Sequence, residues 1–474
     1  MDGKSFQSIC SVCGKAVQAR YVSEPERVYI EKHCPEHGDS RVLASESSAD
    51  FETWFSSASV TVPPRIPVTK GARGVFPDGT NNTGCPAHCG PCENHLMTAC
   101  CVLINVTLRC NQRCPYCFAD AGGDRHHVGD GEPSLSEISQ WLGRLIELGE
   151  ERKFNIQLSG GEPTVRADLP EIIRLCADKG FEYIQLNTNG RRLAESAAYA
   201  GTLKSAGLST VFLQFDGTDD AAYRRLRGEP LFAVKKAAVA NCAAAGLPVT
   251  LVPTILKDVN LSSVGGIIGF MLDNLHVVKG VHFQPASFFG RRPDGRNETG
   301  DFDGRVTMFA VMEKIERQTG GAIKKGDLSP ISTGHPLCCF CAAFLRERDG
   351  SLSVPRGGGD CCCAPDPLEI VRRDRDFVLN KWEVAAADGN AQNGGDAETA
   401  GFDAAIAWLR RNMFTISGMA FMDAANLDAE RLRRCRVQVF AEGEYLVPFC
   451  AYYSGFWSGV RRARVLEKNR EDAV

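Results

Sequence analysis

The chain has 474 residues, of which 43% are hydrophobic and 24% are charged, proportions typical of a globular protein of about three domains. Composition excludes collagen, coiled coil and wholesale disorder. The 54 lysine and arginine residues against 58 aspartate and glutamate residues give a net charge of −4, so the basic excess expected of a nucleic-acid-binding protein is missing.

The 21 cysteines are the unusual feature of the composition. They fall in local groups with gaps of two or three residues, as metal sites require, and the first residues lack a basic and then apolar export signal. The longest apolar stretches, such as VGGIIGFML near residue 270, are shorter than the roughly 18 residues that span a bilayer. We expect a reduced, cytoplasmic metalloprotein, with any contact to the inner membrane surface being peripheral.

Residues 1–60 predict a small metal-binding knuckle around a strand-like run at 27–30. Three thiolates and an imidazole in a CxxC…CxxH pattern suit zinc or a mononuclear, rubredoxin-like iron. The candidate ligands are Cys10, Cys13, Cys34 and His37. His33 competes with His37, but it is adjacent to Cys34 and is therefore less able to converge with that thiolate.

Residues 61–104 begin as an irregular linker rich in Pro, Gly, Thr and Asn and end in a second cysteine group. Four thiolates from this group would complete an auxiliary [4Fe-4S] cluster. The candidate ligands are Cys85, Cys89, Cys92 and Cys100. Cys101 is left out because it begins the next strand and would point away from its neighbour. Zinc is the alternative, since CxxC-type spacing suits it too.

From 105 to 330, strand-like runs alternate with helix-like runs, which predicts an α/β fold with a parallel sheet or barrel. The turn sequences SGG, NTNG and DG come at the strand ends, where β/α folds bind ligands. His282 also ends a strand, where it either lines a cavity or packs. Cys176 and Cys242 are isolated in helix-like runs and are expected to be small buried hydrophobic residues. Helix-like and irregular segments are expected again after residue 285.

A CxxxCxxC loop directly follows the first of these strands. Its thiolates, from Cys110, Cys114 and Cys117, can hold three irons of a cubane and leave the fourth iron open. The alternative is a structural zinc loop that borrows a fourth ligand, although a closed zinc site normally uses CxxC pairs.

With Tyr116 before its last cysteine and Gly160-Gly161-Glu162-Pro163 downstream, this loop resembles the signature of the radical S-adenosylmethionine (SAM) superfamily. The resemblance implies a partial (β/α) TIM-like barrel, a [4Fe-4S] cluster on the three catalytic cysteines, SAM chelating the open iron, and a GGEP strand end that holds the SAM amino group. The candidate cofactor-binding residues are Tyr116, Phe118, Gly160, Gly161, Glu162, Pro163, Asn187, Asn189, Gln214 and Asp216. Alternatives are core packing for Tyr116 and Phe118, an ordinary Asn-Gly turn at 187–190, and a turn-capping role for Asp216.

Further segments, including CPEHG, GCPxxCGxCxxH, LVPTILKDVN and VPFCAYY, resemble one lineage of the superfamily. It contains archaeal tetraether lipid synthases, their bacterial relatives and class D radical SAM methylases that act on pterins. The lineage implies a second auxiliary cluster in residues 331–474. The matching positions are Cys338, Cys435 and Cys450. No fourth ligand is evident, and the additional cysteines at 339, 341 and 361–363 depart from the pattern.

The resemblance implies that a 5′-deoxyadenosyl radical removes hydrogen from an unactivated carbon, most plausibly to couple lipid alkyl chains. The alternatives are radical methylation of a pterin or another small substrate and, from a different class, a non-enzymatic iron–sulfur electron carrier. The expected partners are a small-molecule or lipid substrate and a reductant such as ferredoxin or flavodoxin, with no nucleic acid.

Overall fold

The computed structural model describes residues 3–64, 94–122, 132–149, 153–293, 304–355, 367, 369–373, 397–441, 443 and 445–454. The candidate ligands Cys85, Cys89 and Cys92, and the cysteines at 361–363, lie outside these residues. In the part that is described, no helix combines the length and the apolar character needed to cross a membrane.

The N-terminal region is an antiparallel four-stranded meander. Its strands are β1 (Ser5–Ile9), β2 (Ala16–Ser23), β3 (Val28–Cys34) and β4 (Gly38–Ser45). Alternate residues of β2 are buried, as the two-residue period of a half-covered strand requires. Helix α1 (Ser48–Phe55) follows, and the Ser47 side chain caps it by accepting a hydrogen bond from the Asp50 N–H.

Eight parallel strands in the described part of the chain form the main sheet, in the order β15-β5-β6-β7-β8-β9-β11-β14. They are β5 (Cys101–Thr107), β6 (Asn155–Gly160), β7 (Ile184–Thr188), β8 (Thr210–Gln214), β9 (Val249–Val252), β11 (Val278–Pro285), β14 (Met413–Met419) and β15 (Val437–Ala441). The short β10 (Thr254–Ile255) pairs with the end of β11. The predicted α/β fold with a partial β/α barrel is confirmed.

Helices connect and cover these strands. They are α2 (Leu135–Leu148), α3 (Leu169–Asp178), α4 (Arg191–Glu195), α5 (Ala197–Ser205), α6 (Asp220–Arg227), α7 (Phe232–Ala244), α8 (Val264–Asp273) and α9 (Met308–Gln318). The sequence VGGIIGFML lies in α8, whose buried residues face the sheet core. Cys176 and Cys242 are fully buried in α3 and α7, where they pack in the apolar core.

The C-terminal region differs from the helix-like and irregular structure expected after residue 285, because it contributes strands to both edges of the sheet. On one edge, β12 (Cys339–Arg346) lies antiparallel to β14 and is followed by β13 (Leu352–Ser353). On the other, β16 (Tyr445–Pro448) lies antiparallel to β15. The helices here are α10 (Ala397–Asn412), α11 (Ala429–Arg433) and α12 (Phe449–Tyr453). β12, β14 and β15 join the sheet through partners far away in sequence, which a local pattern cannot reveal, whereas β13 and β16 are the short hairpin partners of β12 and β15.

The N-terminal meander packs on the barrel through one continuous apolar core. Phe51 and Trp54 of α1 meet Phe309 of α9, with ring centroids 6.1 and 5.8 Å apart. Both regions therefore belong to the same buried cluster. The division of the chain at residues 60, 104 and 330 stays a prediction.

Helix α2 offers a matched test of this packing. Leu142 is fully buried, whereas Leu135 on the same helix is 38% exposed. We expect Leu142→Ala to lower the free energy of unfolding by about 2–5 kcal/mol because it leaves a cavity. Leu135→Ala should change that free energy by less than about 0.5 kcal/mol. Denaturant unfolding followed by circular dichroism measures both, and equal effects would contradict the assigned face of α2.

Candidate active site and metal centres

The CxxxCxxC loop follows β5 and borders a cavity of about 340 Å³ at the carboxyl ends of the strands. Cys110, Cys114 and Cys117 are half-buried and all line this cavity. Burial raises the pKa of the Cys110 thiol to about 12 and also raises the pKa of the Cys114 thiol. Metal binding at these thiols must therefore displace protons. Three sulfur donors on one face of a cavity fit a cubane whose fourth iron faces the cavity.

Arg291, which the sequence analysis did not single out, anchors the cysteine loop. Its guanidinium donates to the carbonyls of Cys114 and Ala121 at 2.9 and 2.8 Å, and its backbone exchanges two hydrogen bonds with Cys117. Gly290 has a φ of 56°, and a Cβ there would lie 2.4 Å from the Cys117 carbonyl oxygen. The backbone of residues 290–291, which follows β11, is thus hydrogen-bonded to the cysteine loop, which follows β5.

The two glycines of the GGEP turn are required by a backbone contact. A Cβ on Gly160 would lie 2.0 Å from the Thr107 carbonyl oxygen, and one on Gly161 would lie 2.2 Å from that of Arg109. Instead, the N–H groups of Gly161 and Glu162 donate to these two carbonyls. The glycines therefore let the turn approach the beginning of the cysteine loop, and both also line the cavity. Pro163 begins the short 3₁₀ turn that follows.

Glu162 is almost fully buried at 1% exposure, and its carboxylate is extensively hydrogen-bonded. Oε1 accepts from the Thr164 N–H and from the hydroxyls of Thr164 and Thr188, at 3.1, 2.6 and 2.7 Å. Oε2 accepts from the Asn189 N–H at 2.7 Å. A carboxylate oxygen has about two acceptor sites, so Oε2 can accept one more donor. That capacity fits an ammonium group of a ligand in the cavity.

The Asn187–Gly190 segment is both an Asn-Gly turn and part of the cavity wall, so its two interpretations are compatible. Gly190 has a φ of 80°. The Asn189 side chain accepts from the Arg191 N–H and donates to Asn111 Oδ1 in the cysteine loop at 2.7 Å. Asn187 and Asn189 line the cavity.

Asp216 lies behind the cavity wall and is not among the residues that line the cavity, and its role in cofactor binding stays a prediction. It is fully buried, and the Arg227 guanidinium donates to both of its oxygens at 2.7 and 2.9 Å. The Thr254 N–H and the Gln214 amide also donate to it. Arg227 in turn reaches the carbonyl of Tyr116 and lines the cavity together with Gln214. A buried carboxylate needs a partner, and here the partner comes from the next helix.

Lys235 is a second residue that the sequence analysis missed. It is fully buried on α7, and its Nζ donates to the Asn189 carbonyl at 2.5 Å and to Gln214 Oε1 at 2.7 Å. Burial lowers the pKa of this ammonium to about 7. The available signal was weak: a lysine pair within the otherwise apolar run FAVKKAAVANCAAAG.

Tyr116 and Phe118 both line the cavity, and both also pack. Tyr116 packs against an apolar cluster that includes Leu226 and Leu256. Phe118 is 40% exposed and lies edge-on to Tyr453 of α12, with ring centroids 4.9 Å apart.

The cavity continues into the barrel, where it has two different surfaces. The strands present polar side chains together with the apolar Leu103, Phe212, Val252 and Met419, and the segments after β11 and β14, with α12, present a group of four aromatic side chains. The polar residues are Gln157, Ser159, Asn187, Gln214, His282 and Gln284. The aromatic residues are Phe288, Phe289, Phe421 and Phe449. Asn187 Nδ2 lies 3.5 Å from Gln157 Oε1 and 3.4 Å from Ser159 Oγ, so the amides form a network across β6 and β7.

The predicted N-terminal ligands converge. One ligand atom from each of Cys10, Cys13, Cys34 and His37 lies within 4.8 Å of the others. A tetrahedral ion with bonds of about 2.3 Å requires ligand atoms roughly 3.8 Å apart. His37 Nδ1 lies 3.5 Å from Cys34 Sγ, and Cys13 Sγ lies 3.9 Å from Cys34 Sγ. His33 instead bonds to Asp39. The donor set therefore fits zinc or a mononuclear iron.

The C-terminal candidates Cys338, Cys435 and Cys450 come from three separate segments and are all at least half-buried. Burial raises the pKa of the Cys435 thiol to about 12, with a further contribution from Cys338. Burial also raises the pKa of Cys450, and Cys435 and Cys338 add to the effect. The Arg431 Nε donates to Cys338 Sγ at 3.4 Å. A second auxiliary cluster at these thiols remains our proposal.

Cys100, the described member of the first auxiliary set, lies at the opposite end of β5 from the cysteine loop. Its N–H donates to the Arg436 carbonyl at 3.0 Å, and Asn155 Nδ2 lies 4.0 Å from its sulfur. A strand of this length spans roughly 20 Å. A cluster ligated by Cys100 would therefore lie at the amino end of β5, away from the cavity.

Comparisons with known proteins decide the family. The Radical SAM superfamily model matches residues 104–271, and the model of the HMPTM N-terminal zinc ribbon domain matches residues 4–46. A 7,8-dihydro-6-hydroxymethylpterin dimethyltransferase of Methanocaldococcus jannaschii is 32% identical over 95% of this chain and 93% of its own length. The chain belongs to the radical SAM superfamily. Radical SAM enzymes use a [4Fe-4S] cluster and SAM, and both fit the cavity described above.

More distant proteins match only part of the chain. A probable GTP 3′,8-cyclase of Methanopyrus kandleri is 29% identical over 59% of this chain and 89% of its own length. Among solved structures, a methylornithine synthase aligns with 48% of this chain and with 63% of its own chain. The sequence identity is 15% and the TM-score is 0.36. The N-terminal knuckle is a zinc ribbon, in agreement with its family model.

The radical SAM cysteines can be tested as a set. We expect the variant with Cys110, Cys114 and Cys117 all changed to Ala to lose about four irons per chain and all formation of 5′-deoxyadenosine, because no other described thiols face this cavity. Cys176→Ala, which removes a buried core thiol, is the control and should retain both. Iron analysis and chromatography of the reduced protein with SAM measure the two outcomes; 5′-deoxyadenosine at the wild-type rate would refute the assignment.

Lys235 and its neighbour Lys236 form a matched pair. Lys235→Met removes the donor that holds the Asn189 carbonyl and Gln214, so we expect the KM for SAM to rise by roughly tenfold. Lys236→Met, on the exposed face of α7, should leave that KM unchanged. The rate of 5′-deoxyadenosine formation against SAM concentration gives both values. Identical KM values for the two variants would show that Lys235 does not position the SAM site.

Proposed function

We propose that the protein is a radical SAM methylase of a reduced pterin or a closely similar small heteroaromatic substrate. The observation that carries the proposal is the amide-rich interior of the cavity. Amide and imidazole groups on neighbouring strands can donate to and accept from the edge of a flat heterocycle. The relative named 7,8-dihydro-6-hydroxymethylpterin dimethyltransferase, which aligns over nearly the whole chain, supports the same substrate class.

The aromatic surface supports the proposal in a second way. Phe289, Phe421 and Phe449 face the cavity with centroid distances of 4.3 Å for the pair Phe421–Phe449 and 6.1 Å for Phe289–Phe449. Aromatic side chains stack on heteroaromatic rings and exclude water from them. In our proposal the substrate lies with one face on this wall and its polar edge towards Gln157 and Asn187.

The reaction divides between the cofactors and the chain. When bound, the [4Fe-4S] cluster and SAM would supply a 5′-deoxyadenosyl radical, which leaves as 5′-deoxyadenosine with the hydrogen atom that it removes; the methyl carbon would come from a separate one-carbon donor, a second SAM or a methylene-carrying reduced pterin, and the reductant would supply the electrons. Glu162 accepts the SAM amino group, the cysteine loop and Asn189 fix the position of SAM, and the aromatic wall excludes water from the reacting carbon. A reductant such as ferredoxin or flavodoxin would deliver the electron to the cluster.

Coupling of lipid alkyl chains is the second candidate. The observation that favours it is the same aromatic wall, because Phe288, Phe289 and Phe421 would also pack against an alkyl chain. The polar strand residues opposite that wall weigh against it, since an alkyl chain would leave their hydrogen-bonding groups without new partners.

The deciding experiment incubates the anaerobically reconstituted, reduced protein with excess SAM, a methylene-carrying reduced pterin as a second one-carbon donor, and either 7,8-dihydro-6-hydroxymethylpterin or isoprenoid and fatty-acyl lipids. We expect the pterin to gain the mass of one or more methyl groups and the lipids to remain uncoupled. Mass spectrometry of both extracts is the readout. A coupled lipid product together with an unmodified pterin would reverse the proposal.

Gln157→Leu tests the role of the amide interior. The change keeps the volume and removes the hydrogen-bonding edge, so the KM for the pterin should rise roughly tenfold while the KM for SAM is unchanged. Gln140→Leu, on the exposed face of α2, is the control. An unaltered pterin KM in the Gln157 variant would mean that the substrate does not contact this side of the cavity.

A further inference from the structure

The zinc ribbon is hydrogen-bonded to the loop that continues from β14 past the cavity. This loop, residues 420–428, is called the wall loop below because its Phe421 lines the cavity. Three ribbon side chains reach it: Ser8 Oγ donates to the Leu427 carbonyl at 2.6 Å, Tyr21 OH to Asp428 Oδ2 at 2.7 Å, and Lys32 Nζ to the Ala424 carbonyl at 2.7 Å.

All three donors are buried, with Ser8 at 0%, Tyr21 at 2% and Lys32 at 6% exposure. They come from β1, β2 and β3, the strands that also carry or adjoin the metal ligands. Lys32 precedes Cys34 by two residues, and its Nζ also donates to the carbonyl of Ile9, next to Cys10, at 3.1 Å. Loss of one of these buried donors would leave a buried acceptor without its partner. The three hydrogen bonds therefore hold the ribbon and the wall loop against each other.

Asp423 of the wall loop is hydrogen-bonded to the aromatic wall at Phe288. It is 3% exposed, and its Oδ2 accepts from the Phe288 N–H at 2.8 Å, while Oδ1 accepts from the Ala425 N–H at 2.9 Å. Arg305 donates to both oxygens at 3.1 and 2.9 Å. Beside it, Ser287 Oγ donates to the Phe421 carbonyl at 2.8 Å.

We propose that the zinc ribbon positions the substrate-facing aromatic wall, through Ser8, Tyr21 and Lys32 acting on the wall loop and Asp423 acting on Phe288. The ribbon is then a positioning element for the substrate and has no part in the cleavage of SAM, whose site is held by the cysteine loop, Glu162 and Asn189. This inference rests on the proposed function at one point, namely that the substrate lies against the aromatic wall.

The experiment compares the full-length wild type with a variant carrying Ser8→Ala, Tyr21→Phe and Lys32→Met. Hydrogen exchange followed by mass spectrometry reports on peptides that contain Phe288 and Ala425. We expect about tenfold faster exchange at these amides, because the wall loop that carries their acceptor Asp423 loses its three hydrogen bonds to the ribbon while only Arg305 still holds the carboxylate. Zinc content and SAM cleavage without substrate should be unchanged, whereas the ratio of 5′-deoxyadenosine to methylated pterin should rise several-fold.

Lys15→Met is the matched control, since Lys15 is a ribbon lysine with an exposed side chain that pairs with Glu36. Should the triple variant fail to fold, Tyr21→Phe alone keeps the packed ring and removes only the hydroxyl that reaches Asp428. Unchanged exchange at both amides with the metal retained overturns the proposal. Failure of the proposed function is a separate result: the wild type would leave the pterin unmodified, whatever the exchange rates are.

Discussion

The geometry of the site depends on the hydrogen bonds that the buried Glu162 carboxylate accepts. A charge at the end of β6 with 1% exposure persists only when hydrogen-bond donors surround it. Those donors come from its own turn and from the turn after β7, so the carboxylate fixes two strand ends relative to each other. The neighbouring glycines bring the same turn against the cysteine loop. The cysteine loop, the GGEP turn and the Asn-Gly turn are therefore held together as one unit.

A second buried carboxylate extends this unit to the next strands. Asp216 binds Arg227, and Arg227 reaches the Tyr116 carbonyl in the cysteine loop. Lys235 connects Gln214 to the carbonyl of Asn189. The ends of β6, β7 and β8 are thus joined to one another, and the end of β8 to β10, by buried charged side chains. Since such groups are costly to bury alone, loss of one partner would disturb the next.

The sequence predicted those parts of the site that lie within short, contiguous motifs. The cysteine loop, the GGEP turn and the four ribbon ligands have fixed spacings, and their chemistry follows from residue type. Arg227, Lys235 and Arg291 lie on helices or loops with no motif, and they act on the site only because the barrel closes around it. Asp216 shows the same limit, since its strand-end position was evident but its helix-borne partner was not. The strands β12, β14 and β15 were missed because distant segments set their places in the sheet, and β13 and β16 were missed with them as their hairpin partners.

The two surfaces of the cavity follow from two kinds of support. Side chains such as Gln157 and Asn187 stand on central strands whose backbone is hydrogen-bonded on both sides, so their directions are fixed. Phe288 and Phe421 stand on connecting segments, which lack such pairing and need external contacts to hold a rotamer. Asp423, Arg305 and the zinc ribbon supply those contacts. In our proposal the zinc ribbon therefore supports the aromatic wall, whereas the cysteine loop, the GGEP turn and the Asn-Gly turn are held by a separate set of hydrogen bonds around Glu162.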